Sequence, residues 1–278
     1  MKNVRFHLDD AIVLDVRSLR GEMISQVDGP PVFDDGRSYV LRVAAAEMSM
    51  DMASLSALMN RHVFAYDGAP LTHITVRATP DGRLEQKATL HRGVPVPVSM
   101  IASIAPTPDG RLRLHVESMK AAGVPAKGLL DLFGLKIESL VDLKQRRGIE
   151  IDGNDIVMTP GQMVPAPAIQ GRLTAVRIQG DRLVQTMTPE RGQAPGSLTP
   201  PEPRANYIYF FGSDIRFGKL TMHGADLQLI DADPRDPFDF YPARYRDQLT
   251  AGYSKNLPNG GLKTFMPDFS DLRHAARR

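Results

Sequence analysis

The sequence predicts an α+β, β-rich fold in which amphipathic antiparallel strands cover one or two apolar helices. Three observations lead to this prediction: short runs in which every second residue is apolar, Asp-Gly turn signals between those runs, and two stretches with helical spacing. The chain has 278 residues, of which 42% are hydrophobic and 24% are charged. These values are near the averages for globular proteins, so the chain can bury a substantial core.

The alternating runs predict strands with one apolar and one polar face. In residues 111–117 apolar residues alternate with charged residues or His, and the same period recurs in three other runs, 72–78, 174–178 and 220–230. The sequence Thr-Pro-Asp-Gly-Arg-Leu at 79–84 returns at 107–112. Because Asp-Gly supplies the positive φ of a tight hairpin turn, we interpret this echo as a hairpin turn used twice rather than as a repeated domain.

Two segments break the period of two and predict helices. Ser49 is a candidate N-cap for a helix that runs to Asn60, with one apolar face formed by Met48, Met52, Leu55 and Met59. A second helix is predicted from Ala126 to Leu143, apolar almost all round, with Gly134 as a kink or a break. Such a helix has to be covered on several sides, and a curved sheet supplies that cover.

These elements divide the chain into four predicted segments. Residues 1–188 contain most of the predicted strands and both predicted helices. Residues 189–206 contain five Pro and are predicted to be a loop or linker. Strands over 207–231 are expected to rejoin the sheet. Residues 232–278, rich in Asp, Pro and Tyr, are predicted to lie extended over the surface, so their removal should leave a folded core.

The composition excludes several classes of function. The chain has no Cys, which removes disulfides, thiolate catalysis and zinc or iron–sulfur ligation by Cys. The net charge of +2 provides no global field that would recruit nucleic acid, so no nucleic-acid partner is expected. The seven His form no HExxH or HxH pattern, and no P-loop or GxSxG motif is present. We therefore expect no metal, no cofactor and no enzymatic activity, with an unusual carboxylate or His site as the alternative.

Two charged stretches have both a functional and a structural interpretation. Residues 231–239 contain clustered Asp, as calcium sites do, but lack the Gly and closing Glu of an EF-hand loop and are better explained by Asp-Pro turns. Lys144, Arg146 and Arg147 follow the second predicted helix and are candidates for contact with lipid head groups or a membrane surface. Basic residues are also favoured at the C-terminus of any helix.

Two stretches, residues 115–133 and 169–178, together with the order of strands and helices, resemble the LmeA-like phospholipid-binding proteins and the wider TULIP-like lipid carriers of bacteria. The resemblance extends over residues 5–188 and part of 207–231, and the Pro-rich loop and the segment after Asp231 depart from it. It implies that residues 1–188 form a highly curved, TULIP-like antiparallel sheet that wraps one or two apolar helices and binds lipid in an apolar groove between them. It also implies a location in the periplasm or cell envelope. Residues 1–7 lack the apolar core of a signal peptide, so an exported form would carry its leader outside this sequence, and a cytoplasmic location stays open.

The sequence thus predicts non-enzymatic binding or carriage of a lipid or similar amphiphile. The candidate ligand-binding residues are Met52, Leu55, Leu58, Met59, Leu129, Leu132, Phe133 and Leu140. The alternative is an adaptor protein with a filled core, which would bind a protein partner through a sheet edge or through the aromatic run Tyr207–Phe211.

Overall fold

The computed structural model describes residues 1–92, 94–125, 148–189 and 198–275. The strands, in chain order, are β1 (Lys2–His7), β2 (Val13–Ser25), β3 (Tyr39–Asp51), β4 (Leu71–Ala78), β5 (Leu84–Arg92), β6 (Val94–Pro106), β7 (Leu112–Ala121), β8 (Val124–Pro125), β9 (Ile149–Asp152), β10 (Asp155–Met158), β11 (Ala168–Gln170), β12 (Leu173–Gln179), β13 (Arg182–Met187), β14 (Tyr207–Phe211), β15 (Ile215–Phe217), β16 (Leu220–Met222), β17 (Asp226–Asp231), β18 (Phe238–Phe240), β19 (Tyr253–Asn256) and β20 (Leu262–Met266). The helices are α1 (Met52–Leu58), a π-helical turn (Met59–Val63), α2 (Pro160–Met163), α3 (Tyr245–Ala251) and α4 (Phe269–Ala275), with 3-10 turns at Gly36–Ser38 and Pro242–Arg244. The predicted β-rich character, with few helices and large antiparallel sheets, is confirmed.

The second predicted helix, residues 126–143, lies outside the described residues. Seven of the candidate site residues lie outside them as well: Leu129, Leu132, Phe133, Leu140, Lys144, Arg146 and Arg147.

The chain forms two compact units whose bounds differ from the predicted segments. The first unit consists of Met1–Met48, Ala166–Gln170 and Thr188–Arg278, and the second consists of Ser49–Pro165 and Gly171–Met187. The predicted sheet-and-helix segment, 1–188, is therefore shared between two units. The reason is that the N-terminal strands pair with strands from the C-terminal part of the chain, a long-range pairing that local periodicity does not reveal.

The sheet of the first unit runs in the order β3-β2-β1-β14-β17-β20-β19. Most of its pairs are antiparallel, but β20 joins β17 in parallel, and β11 and β18 add in parallel to β3 and β1. Strands from the beginning of the chain, β3, β2 and β1, thus join strands from its end in one sheet, with β14 next to β1.

Residues 232–275 are not the extended surface tail that the sequence predicts. They contain β18, α3, β19, β20 and α4, and the side chains of Phe238, Phe240, Gln248 and Met266 are fully buried. The prediction failed because the Asp residues of this segment suggest surface turns, whereas two of them, Asp239 and Asp268, are buried and accept hydrogen bonds from backbone amides. Asp268 Oδ1, for example, accepts a hydrogen bond from the Asp239 amide at 2.7 Å.

The described part of the Pro-rich segment, residues 198–206, is held against the first unit's sheet. Gln228, fully buried in β17, forms two hydrogen bonds with the backbone of Glu202, one from the amide N–H (2.8 Å) and one to the carbonyl oxygen (3.0 Å). The Lys263 ammonium lies 2.8 Å from the Glu202 carboxylate. These contacts fix a stretch that composition alone identifies as a loop or linker.

The second unit contains an antiparallel sheet in the order β4-β5-β6-β7-β10-β9, with β8 added to β7. Both predicted Asp-Gly hairpin turns are present, since Gly82 and Gly110 have φ values of 79° and 84°. In each turn a Thr hydroxyl accepts a hydrogen bond from the amide four residues on, Thr79 from Arg83 and Thr107 from Arg111. Each turn is therefore closed by its own side chain.

The first predicted helix is present but begins later than expected. Strand β3 extends through Asp51, so Met48 and Ser49 lie in a strand, and Asp51 rather than Ser49 is the N-cap, accepting a hydrogen bond from the Ser54 amide at 2.6 Å. A carboxylate at this position also complements the partial positive charge of a helix N-terminus.

Asn60 joins this helical segment to β4 instead of ending a helix. Its side chain accepts a hydrogen bond from the Ile74 amide (2.9 Å) and donates one to the Ile74 carbonyl (2.6 Å). The pairing of β4 with β5 shifts register between Thr72 and Thr75, and His73 in that stretch has a positive φ of 53°. The Asn60 amide therefore supplies the partners that the backbone of Ile74 requires in this irregular stretch.

Candidate functional site

The second unit contains an apolar cavity of about 70 Å³. Its described lining residues are Met59, Phe64, Pro70, Leu71, Gln86, Ala88, Val98, Ser99, Met100, Leu114, Met119, Ile149, Ile151, Ile156 and Met158. Of these, Gln86 and Ser99 alone have polar side chains, and none is ionisable. The cavity can therefore accommodate apolar groups, and its described lining contains no charged side chain.

The strand register explains why so many apolar residues meet here. Partner residues in a sheet point to the same face, and Gln86 of β5 lies opposite Met100 of β6, which lies opposite Met119 of β7. Further along the sheet, Leu114 and Ile151 both lie opposite Ile156, again within the lining. Each strand thus contributes its apolar face to one wall.

The helical segment supplies part of the opposite wall. Met59, the first residue of the π-helical turn, is buried and reaches the cavity together with Phe64. Ser56 reinforces this placement, because its hydroxyl accepts a hydrogen bond from the Val76 amide at 2.8 Å. Together with Asn60, it holds the segment against β4, so the helix side of the cavity is fixed to the sheet side.

Among the candidate ligand-binding residues in the described chain, Met59 lines this cavity. Met52 and Leu58 are buried elsewhere in the core and Leu55 is partly buried, and these three are absent from the lining. The difference has a geometric cause. The helix begins at Met52 and changes to a π-helical turn at Met59, so the continuous apolar face that ideal helical spacing predicts does not form.

Most of the lining was missed because it lies on strands. The alternation in 111–117 indicates an apolar face on β7, but Met119 is out of phase with Leu114 in sequence. A β-bulge restores the phase, since Ser118 lies opposite Ile101 while Val116 lies opposite the next residue, Ala102. The alternation in the sequence therefore indicates part of the lining. No residue type marks the β-bulge that brings Met119 onto the same face.

The cavity is small, and its lining is deformable. Its volume of about 70 Å³ is less than half of the ~150 Å³ of an engineered apolar cavity that binds benzene. Four of its lining residues are methionines, Met59, Met100, Met119 and Met158. Their unbranched side chains can adapt to varied apolar shapes.

The first unit contains a buried polar cluster around His7. His7 Nε2 lies 2.5 Å from Asp239 Oδ1, and the Ser270 amide donates to Asp239 Oδ2 at 3.2 Å. Burial opposes ionisation of Asp239, but the hydrogen bond and charge of His7 outweigh it and lower the pKa of Asp239. Burial raises the pKa of the neighbouring Asp268 to about 7.

A His–Asp pair is a common general-base arrangement, but this pair is closed to a substrate. The other ring nitrogen, His7 Nδ1, is buried and has no hydrogen-bond partner among the described residues. The imidazole packs against the rings of Tyr241 and Phe269, with centroids 5.3 and 5.5 Å away. The pair therefore joins β1 to the C-terminal residues rather than forming a site open to a ligand.

The aromatic run Tyr207–Phe211 is an internal strand of the sheet, not an edge. β14 lies between β1 and β17, with Ile208 buried and Phe211 54% exposed. In the sheet that the described residues form, the terminal strand next to β20 is β19, and all four of its residues are exposed.

Within the described ranges, no group of three or more His, Asp or Glu side chains is placed to hold a metal ion. The described helices include none with the length and apolar character needed to cross a membrane. Comparisons with protein-family models, with curated proteins and with solved structures found no match to this chain.

Proposed function

We propose that this protein binds the acyl chain of a lipid or a similar amphiphile in the cavity of its second unit and does not transform it chemically. The observation that carries the proposal is the lining, in which thirteen apolar residues surround the cavity and the polar side chains are those of Gln86 and Ser99. The resemblance to LmeA-like and TULIP-like proteins points the same way. A location in the cell envelope and a TULIP-like curvature of the sheet belong to the same proposal.

Apolar burial supplies the binding energy. Each methylene removed from water contributes about 0.8 kcal/mol, so ten enclosed methylenes give a gross term of about 8 kcal/mol before binding entropy is subtracted. The methionine side chains must move to make room for an acyl chain, and the cost of this movement reduces the gross binding energy. Because the described lining contains no charge, the head group stays outside it, and selectivity for the head group should be weak.

A fluorescent fatty-acid titration tests the proposal. Ala88 is buried in β5 and lines the cavity, so Ala88→Leu adds three carbon atoms where the acyl chain would lie. Excluding about two methylenes costs about 1.6 kcal/mol, which is a loss of affinity of more than tenfold. Ala175→Leu is the matched control, since it makes the same change at an exposed position of β12 in the same unit.

The two variants separate the possible outcomes. Weaker uptake by Ala88→Leu alone, with unchanged circular dichroism, supports the cavity as the site. Equal uptake by wild type and Ala88→Leu means that the ligand binds elsewhere. If the wild type takes up no probe and carries no extractable lipid, the proposal fails.

An adaptor function is the second candidate, favoured by the exposed edge strand β19. Tyr253, 54% exposed, stacks on Phe265 with ring centroids 4.8 Å apart, and the Lys255 ammonium lies 5.5 Å from each ring. An edge strand with such a platform suits β-strand addition by a partner chain. The fatty-acid titration distinguishes the two candidates, because an adaptor with a filled core gives a flat curve.

A further inference from the structure

The paired ends of β5 and β6 expose apolar residues at one end of the second unit's sheet. Val94, the first residue of β6, is 74% exposed, the highest value among the large exposed hydrophobic residues of the described chain. Pro95 and Pro97 are also exposed. Exposed apolar residues at the end of a strand pair cost solubility unless they meet an apolar surface.

Among the described residues of β5 and β6, those beyond Glu85 include basic side chains and no acidic one. No acidic residue occurs from Gln86 to Thr107, a stretch that includes Lys87 and His91. On β7, Lys120 is exposed and lies opposite Ser99, which in turn lies opposite Lys87. These two lysines are complementary to an anionic surface.

Acidic residues lie close by, at the border of this region. Glu85 is 3.2 Å from Lys87 and lies farther from the strand ends. Asp67 is exposed in the connection that leads into β4. The basic character thus belongs to the last few residue pairs of β5, β6 and β7.

This end of the sheet is also close to the cavity. Val98, which lines the cavity, is four residues from Val94 along β6, or about 13 Å at ~3.3 Å per residue. Val96, between them, shares their face of the strand and is partly exposed. Apolar side chains therefore form a continuous path from the cavity to the exposed end.

We infer that the β5–β6 end docks on the surface of an anionic phospholipid bilayer, with Val94 inserted at the boundary between head groups and acyl chains. The inference rests on the proposed function, because a protein that carries acyl chains has to meet the membrane that supplies them. Lys87 and Lys120 attract the anionic head groups, and Val94 supplies the apolar contact. In this arrangement the apolar side chains between Val98 and Val94 connect the cavity to the bilayer, which supplies the ligand.

Co-sedimentation of the full chain with vesicles tests this inference. The vesicles are phosphatidylcholine with and without phosphatidylglycerol, at low and high salt. Val94→Glu should lower partition into the anionic vesicles at least about tenfold, because an inserted apolar side chain is lost and a carboxylate takes its place. Val27→Glu makes the same change at a residue that is 49% exposed in the first unit and should have no effect.

A second pair of variants tests the charge. Lys120→Gln should lower partition about fivefold, the factor that corresponds to about 1 kcal/mol per basic residue at an anionic membrane surface. Lys219→Gln, at an exposed lysine of the first unit, is the control. High salt should weaken the binding of the wild type.

Three results would overturn the inference: equal partition of Val94→Glu and Val27→Glu, equal binding of the wild type to neutral and anionic vesicles, or no vesicle binding at all. Uptake of monomeric fatty acid from solution needs no bilayer and is measured separately. Fatty-acid uptake without vesicle binding refutes the docking surface alone. Vesicle binding without fatty-acid uptake refutes the proposed function but supports the docking surface.

Discussion

Asp268 gives the sharpest prediction about the stability of the first unit. Its side chain is buried, with the residue 5% exposed, and it accepts the hydrogen bond from the Asp239 amide. Burial raises its pKa from 3.8 to about 7, and the charges of Asp231, Asp236 and Asp239 act in the same direction. The folded protein therefore holds this proton more tightly than the unfolded chain does.

The sign and size of the effect follow from that difference in pKa. Between about pH 4 and about pH 7 the folded state binds more protons than the unfolded state, so the free energy of unfolding falls as the pH rises. A shift from 3.8 to about 7 corresponds to a loss on the order of 4 kcal/mol. Asp231, whose pKa burial also raises, adds a contribution of the same sign. Asp239, with a lowered pKa, contributes stability that is lost only as the pH falls below about 4.

Asp268→Asn tests this reasoning because asparagine keeps an acceptor for the Asp239 amide and cannot ionise. We expect the variant to be more stable than the wild type near pH 8, by up to about 4 kcal/mol, and to show a flatter pH dependence between about pH 4 and pH 7. Since the chain has no Trp, urea unfolding is followed by far-ultraviolet circular dichroism. Asp28→Asn, at an exposed carboxylate of the same unit, is the control. A variant as pH-dependent as the wild type, or less stable near pH 8, would refute the argument.

Three further predictions concern the contacts that join distant parts of the chain. Deleting residues 232–278 should abolish cooperative unfolding of the first unit, because β18 and β20 belong to its sheet. Asn60→Ala should lower the free energy of unfolding by about 2 to 3 kcal/mol, since both backbone groups of Ile74 lose their partner. Gln228→Ala should release residues 198–206, which limited trypsin digestion detects as faster cleavage in that segment.

Each of these predictions has an outcome that would contradict it. If the truncated chain unfolds cooperatively and its unfolding transition is as large as that of the full chain, residues 232–278 are a surface tail, as the sequence predicts. Asn259→Ala, at an exposed amide, is the control for Asn60→Ala, and equal effects of the two variants would show that the bonds to Ile74 contribute little. Unchanged proteolysis of Gln228→Ala would mean that other contacts hold the Pro-rich segment in place.

The local elements of the fold were predictable because their causes are local. The alternation in 111–117 identifies β7, and the two Asp-Gly signals identify real hairpin turns at Gly82 and Gly110. The assembly of the first unit was not predictable in the same way. The pairing of β1 with β18 and β14 brings together residues more than two hundred positions apart, and nothing in the composition of either partner specifies the other.

The sequence analysis placed the candidate site on helices, whereas the described cavity is lined mainly by strands. Methionine and leucine spacing directed attention to helices, and Met59 is the residue on which prediction and cavity agree. Met100, Met119 and Met158 lie on strands that form the rest of the wall, and a β-bulge brings Met119 into phase. A helical hydrophobic pattern can be recognised in one segment, whereas a cavity wall made of six strands depends on the register of every neighbour.

The most direct test of the central claim locates the bound acyl chain by photo-crosslinking. A fatty acid with a diazirine near its methyl end is bound, irradiated and mapped by peptide mass spectrometry, with unlabelled oleate as competitor. We predict adducts on peptides that contain Met100 and Met119 of the second unit, and we predict that excess oleate removes them. Adducts confined to the first unit, or labelling of Met100 and Met119 that oleate does not reduce, would contradict the account.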